Sequence, residues 1–223
     1  MNFKTILLGI FLISLTFKLH SQEKLVTGIN SGLTYSNLRG NNFIESFESE
    51  LNYIIGISID YKVFEKMYLS ADLNYERKSI RKFYPKPYES DNGAIGCIGC
   101  PTTELKFQTL FQYISIPLML KYYINNDYSF YFNGGVYFSY LLDIKNIDDG
   151  KESDLDFNDS FKKIDAGITF GFGYNFKINN NNSISIELRD NYGIVNLSKY
   201  DQSNFNSTKT NSINLILNWN FKI

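Results

Sequence analysis

From Asp165 to Lys177 the chain reads DAGITFGFGYNFK. Ala166, Ile168, Phe170, Phe172, Tyr174 and Phe176 are apolar or aromatic. The residues between them, Asp165, Gly167, Thr169, Gly171, Gly173, Asn175 and Lys177, are small, polar or charged. A period of two marks a β-strand whose faces meet different surroundings. The same pattern recurs along the whole chain, and this predicts an all-β fold.

Eight such stretches can be read. The first holds Ile29, Leu33 and Tyr35 on one side. In the second, Tyr53, Ile55, Ile57, Ile59, Tyr61 and Val63 alternate with Ile54, Gly56, Ser58, Asp60 and Lys62. The third opposes Leu69, Ala71, Leu73 and Tyr75 to Ser70, Asp72, Asn74 and Glu76. The fourth opposes Ile114, Ile116, Leu118, Leu120 and Tyr122 to Tyr113, Ser115, Pro117, Met119 and Lys121. The fifth sets Phe130, Phe132, Val136, Phe138 and Tyr140 against Ser129, Tyr131, Asn133, Gly135 and Ser139. DAGITFGFGYNFK is the sixth. Ile184, Ile186 and Leu188 define the seventh, and Ile213, Leu215, Leu217, Trp219 and Phe221 the eighth. Most are expected to be about 10–14 residues long, beyond the usual 5–6 of globular proteins.

The connections alternate in length. Tight turns are expected at Glu65-Lys66, at Asn125-Asn126-Asp127 and over 179–182, from their composition. Long polar links are expected at 37–51, 79–108, 143–162 and 196–209. Strict alternation puts every long link at one end of an antiparallel, up-and-down barrel, as in outer-membrane barrels with short periplasmic turns and long extracellular loops.

A soluble eight-stranded barrel would alternate too, so the polar face must decide. It carries Gly56, Gly135, Gly167, Gly171 and Gly173 where a water-facing surface would carry Lys, Glu and Thr. Glycine weakens a strand unless something approaches closely, and a narrow eight-stranded lumen supplies that crowding. Asp60, Lys62, Asp72, Glu76, Lys121, Asp165, Glu187 and Arg189 would share this interior, with opposite signs able to pair. The apolar face is aromatic towards strand ends, at Tyr61, Tyr75, Tyr122, Tyr128, Tyr140, Tyr174 and Trp219, as lipid-boundary girdles are. Lipid outside and a packed polar lumen inside is the reading that fits both faces.

The N-terminus reads MNFKTILLGIFLISLTFKLHSQ, with Lys4, an apolar run from Ile6 to Phe17, and Leu19 and Ser21 at cleavage-site positions. Residues 1–21 are therefore expected to be a secretory signal peptide, and residues 22–223 the barrel domain. Its removal would leave 20 basic against 23 acidic residues. A mildly acidic chain without a basic run is not a nucleic-acid binder. His20, the one histidine, would leave with the signal, and with it histidine-dependent hydrolase chemistry. No catalytic, cofactor or metal residues are expected, and the chain reads as non-enzymatic. An aqueous pore is disfavoured because eight strands leave no channel.

YISIPLMLKYYI (113–124), FYFNGGVYFSYLL, the Asp-x-Gly opening of DAGITFGFGYNF, and SISIELRDNYGIVNL together resemble the PorT-like outer-membrane β-barrel family of Bacteroidetes-type bacteria. The likeness covers nearly all of 22–223, and the Ile-Pro-Leu strand is its most specific element. It implies an eight-stranded barrel in the outer membrane, surrounded by lipid and inserted by the outer-membrane assembly machinery. It also implies an accessory role in secretion or gliding as an alternative to a structural or loop-mediated surface role. The chain departs from the pattern at its end, where Phe221 stands two places before the terminal Ile223.

Two loop features could carry chemistry. Cys97 and Cys100 form CIGC among glycines in the link 79–108. Two cysteines without histidine are too few for zinc, so a local disulfide in an oxidising exterior is expected, with a redox or metal role as the alternative. In the acidic link 143–162 and just beyond it, Asp154, Asp156, Asn158 and Asp165 fall at calcium-loop spacings. Asp159 replaces the required glycine and Asp165 the bidentate glutamate, so a solvated loop is expected instead.

Overall fold

The computed structural model describes residues 24–40, 42–85, 104–153, 157–199 and 207–222. The expected signal peptide lies outside them. The elements are β1 (Leu25–Arg39), α1 (Asn42–Glu45), β2 (Glu48–Lys62), β3 (Met67–Pro85), β4 (Glu104–Tyr123), β5 (Phe130–Asp148), β6 (Ile164–Lys177), β7 (Asn182–Gly193) and β8 (Lys209–Lys222). A two-residue strand, Lys151–Glu152, folds back on the end of β5 through Asp149-Gly150, whose φ angles of 47° and 83° suit a tight hairpin turn.

Each long strand pairs antiparallel with its neighbours in sequence. β1 also pairs with β8, through Ile29↔Trp219 and Leu33↔Leu215 among others. Together with β4–β5 pairing, this closes the sheet on itself. Closure leaves none of the eight strands an unpaired edge, which hydrocarbon would not tolerate. The expected eight-stranded, up-and-down order is the observed one.

The tight turns form where asparagine composition placed two of them. Asn125 Oδ1 accepts from the backbone N–H of Ser129 (3.3 Å) and Phe130 (3.1 Å). Asn179 Oδ1 accepts from the N–H of Asn181 (2.9 Å) and Asn182 (2.8 Å). A short side chain that mimics a backbone carbonyl lets the chain reverse within a few residues.

Outward side chains are mainly apolar on every strand, with Ser31 and Asp190 as exposed polar exceptions. Ile57 is 57% exposed, Phe170 58% and Leu215 48%. So wide a belt of exposed Ile, Leu and Phe is stable only where the outer solvent is itself hydrocarbon. Tyr53 and Tyr61 lie towards its two ends on β2, with Leu51 and Val63 exposed just beyond them. Their separation is about 26 Å along the strand, or about 20 Å along the membrane normal at a tilt near 40°. Tyr128, expected on this face, instead sits in the β4–β5 turn at φ 58°, where its hydroxyl donates to the carbonyl of Glu65 at 2.8 Å.

The strands exceed their expected ends. β3, β4 and β5 run for 19, 20 and 19 residues. The described ends of the link expected at 79–108, residues 79–85 and 104–108, are paired strand, with Arg81↔Gln108 and Tyr84↔Leu105 in register. The first link is shorter than expected and contains α1. Above the apolar belt the outward face no longer meets hydrocarbon, and polar residues such as Arg77 and Arg81 alternate with an inward face of mixed polarity, Lys78, Ile80 and Lys82. The two-residue hydropathy period therefore vanishes while backbone pairing continues.

Candidate functional site

The interior divides into two levels. The lower is a charged lumen within the apolar belt, and the upper is an apolar chamber inside the strand extensions.

Inward positions of β3 and β7 face one another across the ring, four strands apart in its order. Arg189 on β7 spans the gap. Its Nη1 donates to Asp72 Oδ2 on β3 at 2.7 Å, and its Nε to Glu187 Oε1 at 2.6 Å. All three side chains are buried. Below them Lys121 Nζ meets Asp60 Oδ2 at 2.6 Å and stands 5.0 Å from the ring of Tyr131. Above them Lys78 Nζ lies between Glu76 Oε2 (3.8 Å) and Asp165 Oδ2 (3.7 Å), and between the rings of Tyr113 and Tyr137. Thr210 donates to Asp165 at 2.6 Å, and Ser212 to Glu76 at 3.1 Å. An unpaired charge at such a depth is strongly destabilising, and shared partners of opposite sign offset part of that penalty.

Of the lumen charges read from the sequence, Asp60, Asp72, Glu76, Lys121, Asp165, Glu187 and Arg189 are buried inside, and Lys62 is partly buried near the short-turn mouth. Lys78, Tyr113 and Tyr137 complete this arrangement. Lys78 and Tyr137 are not among the lumen residues read from the sequence, although Tyr137 falls between Gly135 and Ser139 on the inward period. Lys78 lies just past the last residue read on the third strand, and the rule that would have found it is simply Glu76 plus two.

The chamber above is built from Leu38 of β1, Ile80 of β3, Phe111 and Tyr113 of β4, and Leu141 and Ile144 of β5, closed by Phe161 and Leu197. A bulge near Gln112 and Tyr113, where the β4–β5 register shifts, turns Ile144 inward after Leu141. Ile44 of α1 is buried over this cluster, with Phe43 and Phe47 beside it. The sequence offered no signal for the chamber beyond the aromatic content of segments read as loop.

Cys97, Cys100, Asp154 and Asp156 lie outside the described residues. Asn158 and Asp165, grouped by calcium-loop spacing, are not brought together. Asn158 Nδ2 donates to Asp143 Oδ1 at 3.1 Å in the loop, whereas Asp165 points from β6 into the lumen beside Lys78. Among the described residues no cluster of acids, cysteines or histidines is placed to hold a metal ion.

A family model described as outer membrane protein beta-barrel domain matches residues 20–199. The fold is similar to Neisserial surface protein A (NspA), at 14% identity and TM-score 0.46, over 89% of this chain and 97% of that one. It is also similar to the outer membrane protein OprG of Pseudomonas aeruginosa, at 12% identity and TM-score 0.44, over 91% and 99%. A third similar structure is Ail, the attachment invasion locus protein of Yersinia pestis, at 14% identity and TM-score 0.42, over 89% and 99%. The sequence matches none of the curated proteins.

Proposed function

The chain belongs to the outer membrane protein beta-barrel domain family, and from that premise we propose that it is a non-enzymatic, non-conducting barrel that holds a loop-bearing surface outside the cell. The observation that carries this reading is Arg189, which reaches from one wall of the lumen to Asp72 on the opposite wall. An ion entering such a lumen would have to displace a buried, doubly paired guanidinium, at a cost of about 3–5 kcal/mol for a broken buried pair. The partners in this reading are outer-membrane lipid around the belt and, during insertion, the outer-membrane assembly machinery. An N-terminal signal peptide, residues 1–21, delivers the chain.

Planar-bilayer recording tests the closed lumen. The purified protein is expected to insert without stepwise conductance, and a well-defined open channel in the wild type would overturn the proposal.

A second reading is the accessory role in secretion or gliding implied by the PorT-like likeness of YISIPLMLKYYI on β4. Affinity capture from outer membranes distinguishes the two. Stoichiometric co-purification of secretion components favours the second reading, and their absence together with cross-links to external material favours the first.

A further inference from the structure

The chamber above the lumen is not filled by the residues that line it. A cavity of about 300 Å³ remains, bounded by Leu38, Phe43, Ile44, Phe47, Phe111 and Phe161 among others. This volume stands at the lower end of small-molecule sites. At about 30 Å³ per water-sized atom it has room for about ten. The wall is mainly aromatic and aliphatic, and Thr109, one of its few polar members, already donates to Asn146 at 2.9 Å. Such a wall gives water few of the hydrogen bonds it needs, so the space suits hydrocarbon better than solvent.

One charge is placed against that apolar space. Lys82, on the inward side of the β3 extension, has its Nζ 5.1 Å from the ring of Phe43, 5.2 Å from Phe47 and 5.6 Å from Tyr84. All three rings line the cavity. Nζ donates to Ser46 Oγ at 2.7 Å, which leaves ammonium protons to give. Among the described residues Lys82 has no carboxylate within ion-pair distance, whereas its neighbours Arg81 and Lys106 pair with Glu48 and Glu50.

We propose that this chamber binds a single-chain amphiphile with an anionic head, of the medium-chain fatty-acid class. Its chain occupies the cavity beneath α1, and its carboxylate meets Lys82. The inference concerns a site outside the membrane belt and is independent of whether the lumen conducts.

The test uses the full chain in lipid nanodiscs with methyl-labelled Leu and Ile, titrated with decanoate and, separately, decanol. Saturable shifts are expected at Leu38, Ile44 and Ile80, but not at the lipid-facing Ile57 and Leu215. Decanoate should bind about tenfold tighter than decanol, the factor one charge-assisted hydrogen bond supplies. Lys82→Met should erase that preference. Ile44→Trp should fill the cavity and abolish both titrations. If that variant does not fold, Phe47→Ala should instead shift the optimum towards longer chains. Shifts that never saturate, or that appear equally at Ile57, would mean partition into the bilayer and overturn the proposal. So would an unchanged decanoate preference in Lys82→Met, or cross-peaks placing the chain's own residues 86–103 or 200–206 inside the chamber.

Discussion

Tyr131 on β5 stands directly across from Gly173 on β6, and its ring covers the place a side chain at 173 would need. The phenol then reaches past the glycine to Glu187 Oε2 on β7, at 2.9 Å. Tyr137 repeats the arrangement over Gly167, where a β-carbon would lie 2.7 Å from its ring. A tyrosine laid flat across a strand glycine restores the packing the glycine lacks. Gly173→Leu should therefore expel Tyr131 and destabilise the barrel by about 1–3 kcal/mol, the usual effect of overpacking. Urea unfolding in detergent, read by heat-modifiable gel migration, measures it. Unchanged unfolding would show that the ring can move aside freely.

The outward face makes an opposite demand. Phe172 lies on β6 between Phe170 and Tyr174, half exposed to the surrounding solvent. Phe172→Arg should cost about 2–4 kcal/mol if residue 172 is near the bilayer midplane, while Phe172→Leu should cost little. Folding yield into lipid vesicles checks both, and equal yields would reassign the face.

Lys78 holds Glu76 and Asp165 apart from one another's charge. Lys78→Met leaves two buried acids without their cation and should destabilise by about 3–5 kcal/mol. Adding Asp165→Asn removes one of the two charges, so the double variant should recover part of the loss. A double variant as unstable as the sum of the singles would mean the groups are not coupled.

Depth decides what an ion pair contributes. Arg81 and Glu48 are 3.1 Å apart on the extension but substantially exposed. Arg81→Ala should change stability by about 0–1 kcal/mol. Arg189→Ala, which strands Asp72 and Glu187 in the lumen, should cost about 3–5 kcal/mol. Thermal unfolding of the two variants side by side makes the comparison, and similar midpoints would contradict the burial argument.

Much of this was legible from residue order. Wherever lipid lies on one side and the lumen on the other, Ile57 beside Ser58 or Phe172 beside Gly173 declares its face, because the two solvents reject each other's residues. The asparagines at 125 and 179 declared their turns, since a short amide can cap a reversal locally. That signal fails as soon as lipid no longer lies on the outer side. On β3 beyond Glu76, Arg77 and Lys78 are both polar although one faces out and the other in, so the continuing strand looked like loop.

The sequence by itself determined the strand count, the apolar belt and the membership of most of the lumen, since each follows from neighbours one or two residues apart. Only the tertiary structure decided which lumen charges meet. Asp72 and Arg189 are 117 positions apart and become partners only because closure sets β3 opposite β7. It also decided that Phe43, Phe111 and Phe161, from three separate segments, enclose a single apolar chamber. Such contacts depend on how the ring closes and where its strands bulge, which no local period of hydropathy encodes.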